Sequence, residues 1–201
     1  TRNRLLGLAA ATALTALSLP AFAQEETIKV GILHSLSGTM AISETTLKDV
    51  MLMLIAEQNE KGGLLGRQLE AVVVDPASDW PLFAEKARQL LEKDKVAAVF
   101  GCWTSVSRKS VLPVFEEYNG VLLYPTLYEA QECSKNCFYT GAVPNQQLDD
   151  FEPWIVNTLG RKKCYMIGSN YIYPKETNRE WKALLEKSGA ENVGEEYAPL
   201  G

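Results

Sequence analysis

The sequence predicts an α/β fold of two Rossmann-like lobes with parallel sheets, the second of them incomplete. Three observations carry this expectation. Short β-rich runs alternate with stretches of helical periodicity, as in βαβ units that build a parallel sheet. The rhythm breaks once, in a polar loop over residues 125–137, and then restarts. With 201 residues, 46% hydrophobic and 22% charged, the composition is that of an ordinary globular protein and excludes disorder and collagen. A net charge of −5 also argues against a nucleic-acid binder or a polybasic membrane surface.

Arg2 and Arg4 precede an apolar run over residues 5–19, followed by Pro20 and the small-x-small tripeptide Ala21-Phe22-Ala23. This pattern predicts a secretory signal cleaved after Ala23 and hence a periplasmic protein. The run is interrupted by Thr12, Thr15 and Ser18 and is shorter than the roughly 20 apolar residues needed to span a bilayer. Lobe 1 is then expected over 24–144 and the start of lobe 2 over 145–201, so the chain reads as a fragment with its second lobe truncated.

Within lobe 1, strands are expected at 28–33, 69–74, 96–100 and 121–124. The first helix places Leu47, Val50, Met51, Leu54, Ile55 and Gln58 on one face and stops at Lys61-Gly62-Gly63. The second starts near Asp79 with Pro81 in its first turn and turns Phe83, Ala87, Leu90 and Leu91 inward. The third is capped by Ser105 or Ser107, carries Pro113 as a kink and ends at Gly120. After the polar loop, residues 138–141 read as a short strand or crossover. A helix begins at Asn145, a strand covers 163–168, a helix covers 175–188 with Trp181, Leu184 and Leu185 inward, and a last strand covers 193–198.

In an oxidising compartment disulfides are permitted, and Cys133 and Cys137 are spaced to close a small loop, although four cysteines allow three pairings. Cys102 and Cys164 read as buried small hydrophobes. The single histidine, His34, reads as structural, and with no second Cys pair at ligand spacing no zinc site is expected.

Ligands of open α/β sheets bind beyond the carboxyl ends of the strands. Three such ends are dense in polar and aromatic groups: Gly101-Cys102-Trp103-Thr104-Ser105, Tyr124-Pro125-Thr126-Leu127-Tyr128-Glu129, and Gly168-Ser169-Asn170-Tyr171-Ile172-Tyr173-Pro174. They supply hydroxyls, phenols and helix-start N–H groups without a cluster of carboxylates or bases. That inventory suits hydrogen bonding to a small neutral ligand better than acid–base catalysis, so no enzyme and no cofactor are expected.

These three stretches, together with Pro144-Asn145-Gln146-Gln147, resemble the periplasmic-binding-protein type I family. More narrowly they resemble the urea and short-chain amide receptors of ABC transporters, relatives of the branched-chain amino-acid receptors. The resemblance implies a pocket lined by Trp103, Ser105, Tyr124 and Thr126 from lobe 1 and by Tyr171 and Tyr173 from lobe 2. Ser105 would offer its hydroxyl and its backbone N–H. It further implies delivery of urea or a short amide to a membrane permease by cleft closure, with a branched-chain amino acid receptor or an amide-sensing regulator as alternatives. The run Thr126-Leu127, with Ala130 where the amide-binding relatives commonly have Gly, leaves urea and a slightly larger amide both open.

Overall fold

The computed structural model describes residues 27–200, so the expected export signal and its cleavage site lie outside the described residues. The first lobe opens with β1 (Ile28–Leu33), α1 (Ala41–Glu60), β2 (Leu69–Val74) and α2 (Trp80–Arg88), which continues into a π-helical turn over Gln89–Lys93. It goes on through β3 (Ala98–Gly101), α3 (Ser105–Glu117), β4 (Leu122–Tyr124) and β5 (Cys137–Tyr139). All five strands are parallel in the order β2-β1-β3-β4-β5, which puts the reversal of strand order between β1 and β3. The crevice at such a switch point is where this architecture receives ligands.

Alternation along the strands fills both faces of the sheet. Val30 and Ile32 of β1 pack with Ile55, Met51 and Leu52 of α1 on one side. Leu33 and Val99 face the other, against Phe83, Ala87 and Leu90 of the second helical segment and Val111, Val114 and Phe115 of α3. Burying each such large side chain stabilises the lobe by about 1.5–3 kcal/mol.

Lobe 2 holds α4 (Pro144–Pro153), a π-helical turn over Trp154–Thr158, β6 (Lys163–Ser169), α5 (Ile172–Ser188) and β7 (Glu191–Ala198). β6 and β7 pair in parallel as a two-stranded sheet, and Val156, Met166 and Leu185 form its small core with Trp181 against them. The described residues thus form one five-stranded and one two-stranded parallel sheet, each packed against helices, as the alternating pattern of the sequence predicts.

Several expectations need correction. The inward face of α1 is turned partly from the predicted one: Ile55 is buried and Met51 packs beside it as expected, but Val50 and Leu54 are 42% and 46% exposed, and Leu52 makes contact in their place. The cap of α3 is neither Ser105 nor Ser107 but Thr104, whose hydroxyl accepts the Ser107 N–H at 3.1 Å. α5 begins three residues early because Pro174 is tolerated within a first helical turn, where its missing N–H leaves no bond unmade. Cys133 and Cys137 are both free thiols, the first exposed and the second buried at the start of β5, so the expected loop closure is not formed. Cys102 is fully buried, whereas Cys164 is only half-buried. His34 is buried against an equally buried Glu44, with Nδ1 3.3 Å from Oε2, and the same carboxylate oxygen accepts the Ser35 N–H at 2.7 Å. Among the described residues no helix is long and apolar enough to cross a membrane.

Candidate ligand-binding cleft

The carboxyl ends of β3 and β4 and the start of α5 converge on a cleft of about 340 Å³ lined by Trp103, Ser105, Tyr124, Thr126, Leu127, Tyr171 and Tyr173. All six residues singled out in the sequence share this one cavity, and Leu127 is the addition. Chain geometry explains the convergence. The Cys102 N–H donates to the Leu33 carbonyl at 2.9 Å, holding the β3 exit against the end of β1, and Cys102 takes a left-handed φ of 66° that turns the chain toward Trp103. The Trp103 carbonyl then accepts two hydroxyls, from Tyr124 at 2.8 Å and from Thr126 at 3.0 Å, tying the β3 and β4 loops together. Gly141 backs the second loop so closely that a Cβ there would lie 2.0 Å from the Thr126 carbonyl oxygen.

Ser105 opens α3, so its own N–H has no partner within the helix. Its hydroxyl is engaged by groups that the sequence did not flag. It donates to Glu129 at 2.5 Å and accepts from Arg108 at 3.1 Å. Arg108 and Glu129 are both fully buried and pair at 2.7 Å, while the Arg108 Nε donates to Glu132 at 2.7 Å. Three rings enclose the guanidinium, with centroids 4.7 Å away for Tyr124, 5.2 Å for Tyr128 and 5.6 Å for Tyr139. Tyr128 and Tyr139 stack on each other at 3.9 Å. This cluster carries fixed charge directly behind the cleft, yet its charges are answered within it.

Electrostatics follow from the packing. Burial would raise the Glu129 carboxyl, but the Ser105 hydroxyl and the Arg108 charge outweigh it and hold its pKa below the ordinary value. Burial is the largest cause of the upward shift of the Tyr124 phenol to about 12, with the Thr126 and Ser105 hydroxyls and the Arg108 charge opposing it. Burial likewise pushes Tyr171 to about 12. The phenols therefore remain neutral at physiological pH. Across the cleft, the rings of Tyr171 and Tyr173 lie 6.4 Å apart, and the Tyr173 hydroxyl approaches Gln147 at 3.4 Å.

A wider depression of about 690 Å³ opens at the amino ends of the strands, lined by Thr27, Lys29, Arg67, Lys93 and neighbouring residues. It is the larger of the two cavities but lies at the end of the sheet opposite the switch point, so the smaller cleft is the candidate.

Known proteins share this fold. The chain is 25% identical over 170 residues to the Leu/Ile/Val-binding protein BraC3 of Rhizobium johnstonii, a match covering 83% of this chain and 46% of that protein. It is 25% identical over 167 residues to a leucine-, isoleucine-, valine-, threonine- and alanine-binding protein of Pseudomonas aeruginosa, covering 82% and 44%. The chain thus spans about half the length of the curated relatives it matches. Among solved structures, the branched-chain amino acid transporter substrate-binding protein LivJ of Streptococcus pneumoniae, in complex with isoleucine, superposes with a TM-score of 0.78 at 23% identity, covering 88% of this chain and 51% of that one. A solute-binding protein of an ABC transporter from Rhodopseudomonas palustris, in complex with 3,4-dihydroxybenzoic acid, superposes at 0.77 with 19% identity, covering 86% and 47%. The profile of the periplasmic binding protein domain matches residues 28–201, and the chain belongs to that family.

Proposed function

We propose that the protein is a periplasmic receptor that delivers urea or a short-chain amide to the permease of an ABC transporter. One observation carries this reading. The cleft is lined by hydroxyls, phenols and an indole with no charged side chain among them, because Arg108 and Glu129 behind it neutralise each other. A small neutral polar molecule meets such a wall without leaving a buried charge unpaired. Ligand bridging Trp103, Ser105, Tyr124 and Thr126 on one side and Tyr171 and Tyr173 on the other favours the closed arrangement of the lobes, and the permease reads that state. The basic and apolar N-terminal segment up to Ala23 supports export to the periplasm.

A branched-chain amino acid receptor is the second reading. Its support is the specificity of the two curated relatives and the first-turn N–H of α3 at Ser105, unpaired within the helix and so placed to suit a carboxylate. Isothermal titration of the full-length protein separates the two. Heat with urea or acetamide and none with leucine is expected, and heat with leucine alone overturns the proposal. Ammonia release on incubation with urea or amides would overturn the expectation that the protein binds without turnover.

A further inference from the structure

We propose that the depression at the amino ends of the lobe 1 strands is a second binding site, in which Lys29, Lys93 and Lys95 hold a phosphate group, free or as a phosphomonoester. It lies at the end of the sheet opposite the ligand cleft and shares no residue with it, so it stands apart from the solute reading.

Chain geometry brings the lysines together. Lys29 is the second residue of β1, and its carbonyl accepts the Ala97 N–H at 2.9 Å, which sets the entry to β3 beside it. Lys93 ends the π-helical turn after α2, and Lys95 takes a left-handed φ of 55° as the chain turns toward β3. That conformation favours glycine or asparagine, yet the position carries a lysine. A fourth cation, Arg67, is held in the lining by its Nη2, which donates to the Thr27 carbonyl at 3.0 Å.

Four cations thus line a space of about 690 Å³ whose one carboxylate, that of Asp94, accepts the Gln89 side-chain amide at 3.3 Å. Lys29, Lys93 and Lys95 are exposed and form no ion pair; among the described residues the ion-paired lysines are Lys48, Lys109 and Lys182. A concave wall of one sign focuses the field and concentrates counter-ions, here on a chain whose net charge is −5. A single carboxylate leaves most of this wall unanswered. A phosphate group brings about −1.5 to −2 charges at pH 7 and three oxygens that several ammonium groups can share.

Isothermal titration of the full-length protein with inorganic phosphate at low ionic strength tests the site, alongside sedimentation with phosphatidylcholine vesicles that contain phosphatidic acid. Binding to at least one probe is expected, phosphate identifying a free anion and the vesicles alone a lipid headgroup. Lys93→Gln together with Lys95→Gln should weaken it about tenfold or more without lowering the melting temperature or changing solute binding in the cleft. Salt should weaken it too, as the screening length falls from about 30 Å at 0.01 M to about 8 Å at 0.15 M. Absence of binding to both probes overturns the proposal, and so does binding that the double variant retains. Glu25 and Glu26 precede Thr27 in the sequence. Binding that appears only when both are replaced by glutamine also overturns it, because the chain's own carboxylates are then the occupants. None of these outcomes bears on the urea and amide reading, which the cleft titrations decide.

Discussion

Replacing Arg108 by methionine is expected to cost about 3 kcal/mol of stability. The side chain is fully buried and is the only group that touches Glu129, Glu132 and Ser105 together among the described residues. Methionine retains most of the stem that packs among Tyr124, Tyr128 and Tyr139, so the loss is one of charge and hydrogen bonds more than of volume. Removing one partner of a buried pair costs about 3–5 kcal/mol because the other charge is left uncompensated. Here the lower end applies, since Lys109 lies 3.4 Å from Glu129 and 3.6 Å from Glu132 and can answer part of the stranded charge. The same logic predicts that adding Glu129→Leu to Arg108→Met restores stability relative to Arg108→Met alone. Scanning calorimetry of the full-length protein checks both; heat is the suitable denaturant because urea is the proposed ligand. A loss under about 1 kcal/mol in the single variant, or a double variant less stable than the single, would refute the claim that this pair is a mutually dependent buried unit.

Other expectations follow from the same contacts. Because folding lowers the Glu129 pKa, its stabilising contribution is fully present above the ordinary carboxylate value of 4.5 and is lost as pH falls through the lower folded value; the wild type should lose stability on acidification more steeply than Arg108→Met/Glu129→Leu, and parallel curves would count against this. Gly141→Ala should destabilise by about 1–3 kcal/mol and weaken ligand binding, since its methyl group must displace the Thr126 backbone, and an unchanged melting temperature would show that the loop yields freely. Tyr124→Phe should weaken urea or amide binding by about 1–3 kcal/mol through loss of one acceptor, read by titration, with unchanged affinity removing Tyr124 from the site. Under native conditions a thiol reagent should label the exposed Cys133 well before the buried Cys102 and Cys137; the burial that raises the Cys137 pKa also slows it, and absence of labelling at both Cys133 and Cys137 would show that they are bridged.

The parts legible in the sequence were those set by local physics. β1 and β2 begin and end where their β-branched runs do, and Asp79 caps α2 ahead of Pro81 as the start signal requires. The three loops that line the cleft were legible because they follow strand ends, where the architecture fixes the destination of a loop whatever its contacts, and the choice of six residues within them came from the family resemblance. What escaped was long-range pairing. Nothing near Arg108 in the chain announces that it is buried, because its partners lie 21 and 24 positions away in a loop that reads as polar surface. One faint signal existed: Ser105 and Arg108 are three apart, on one face of α3, directly after the site loop. The rotation of α1 was hidden for a similar reason. Its six marked positions fit a helical face, but the burial of Glu44 against Ser35 and His34 fixes which face turns inward, and a carboxylate is not counted as a core residue.

The buried charge pair and the small proposed ligand are connected by energetics. Urea has four heavy atoms, so even at the ceiling of about −1.5 kcal/mol per atom its binding free energy reaches only roughly −6 kcal/mol, a Kd in the tens of micromolar. Ordering one side chain on binding costs about 0.5–1.5 kcal/mol, so a wall of three free rotors would cancel much of that gain. In this cleft the ordering is done by folding. The Trp103 carbonyl fixes Tyr124 and Thr126, and the Arg108–Glu129 pair fixes Ser105. A buried ion pair is weak as a source of stability, since an apolar replacement of both partners serves nearly as well. Its use here is directional: it holds one hydroxyl in one orientation so that a ligand with few atoms meets acceptors already aimed. On this account Arg108→Met/Glu129→Leu should fold well and bind the ligand poorly, because stability and orientation, which the native pair supplies together, come apart when it is replaced.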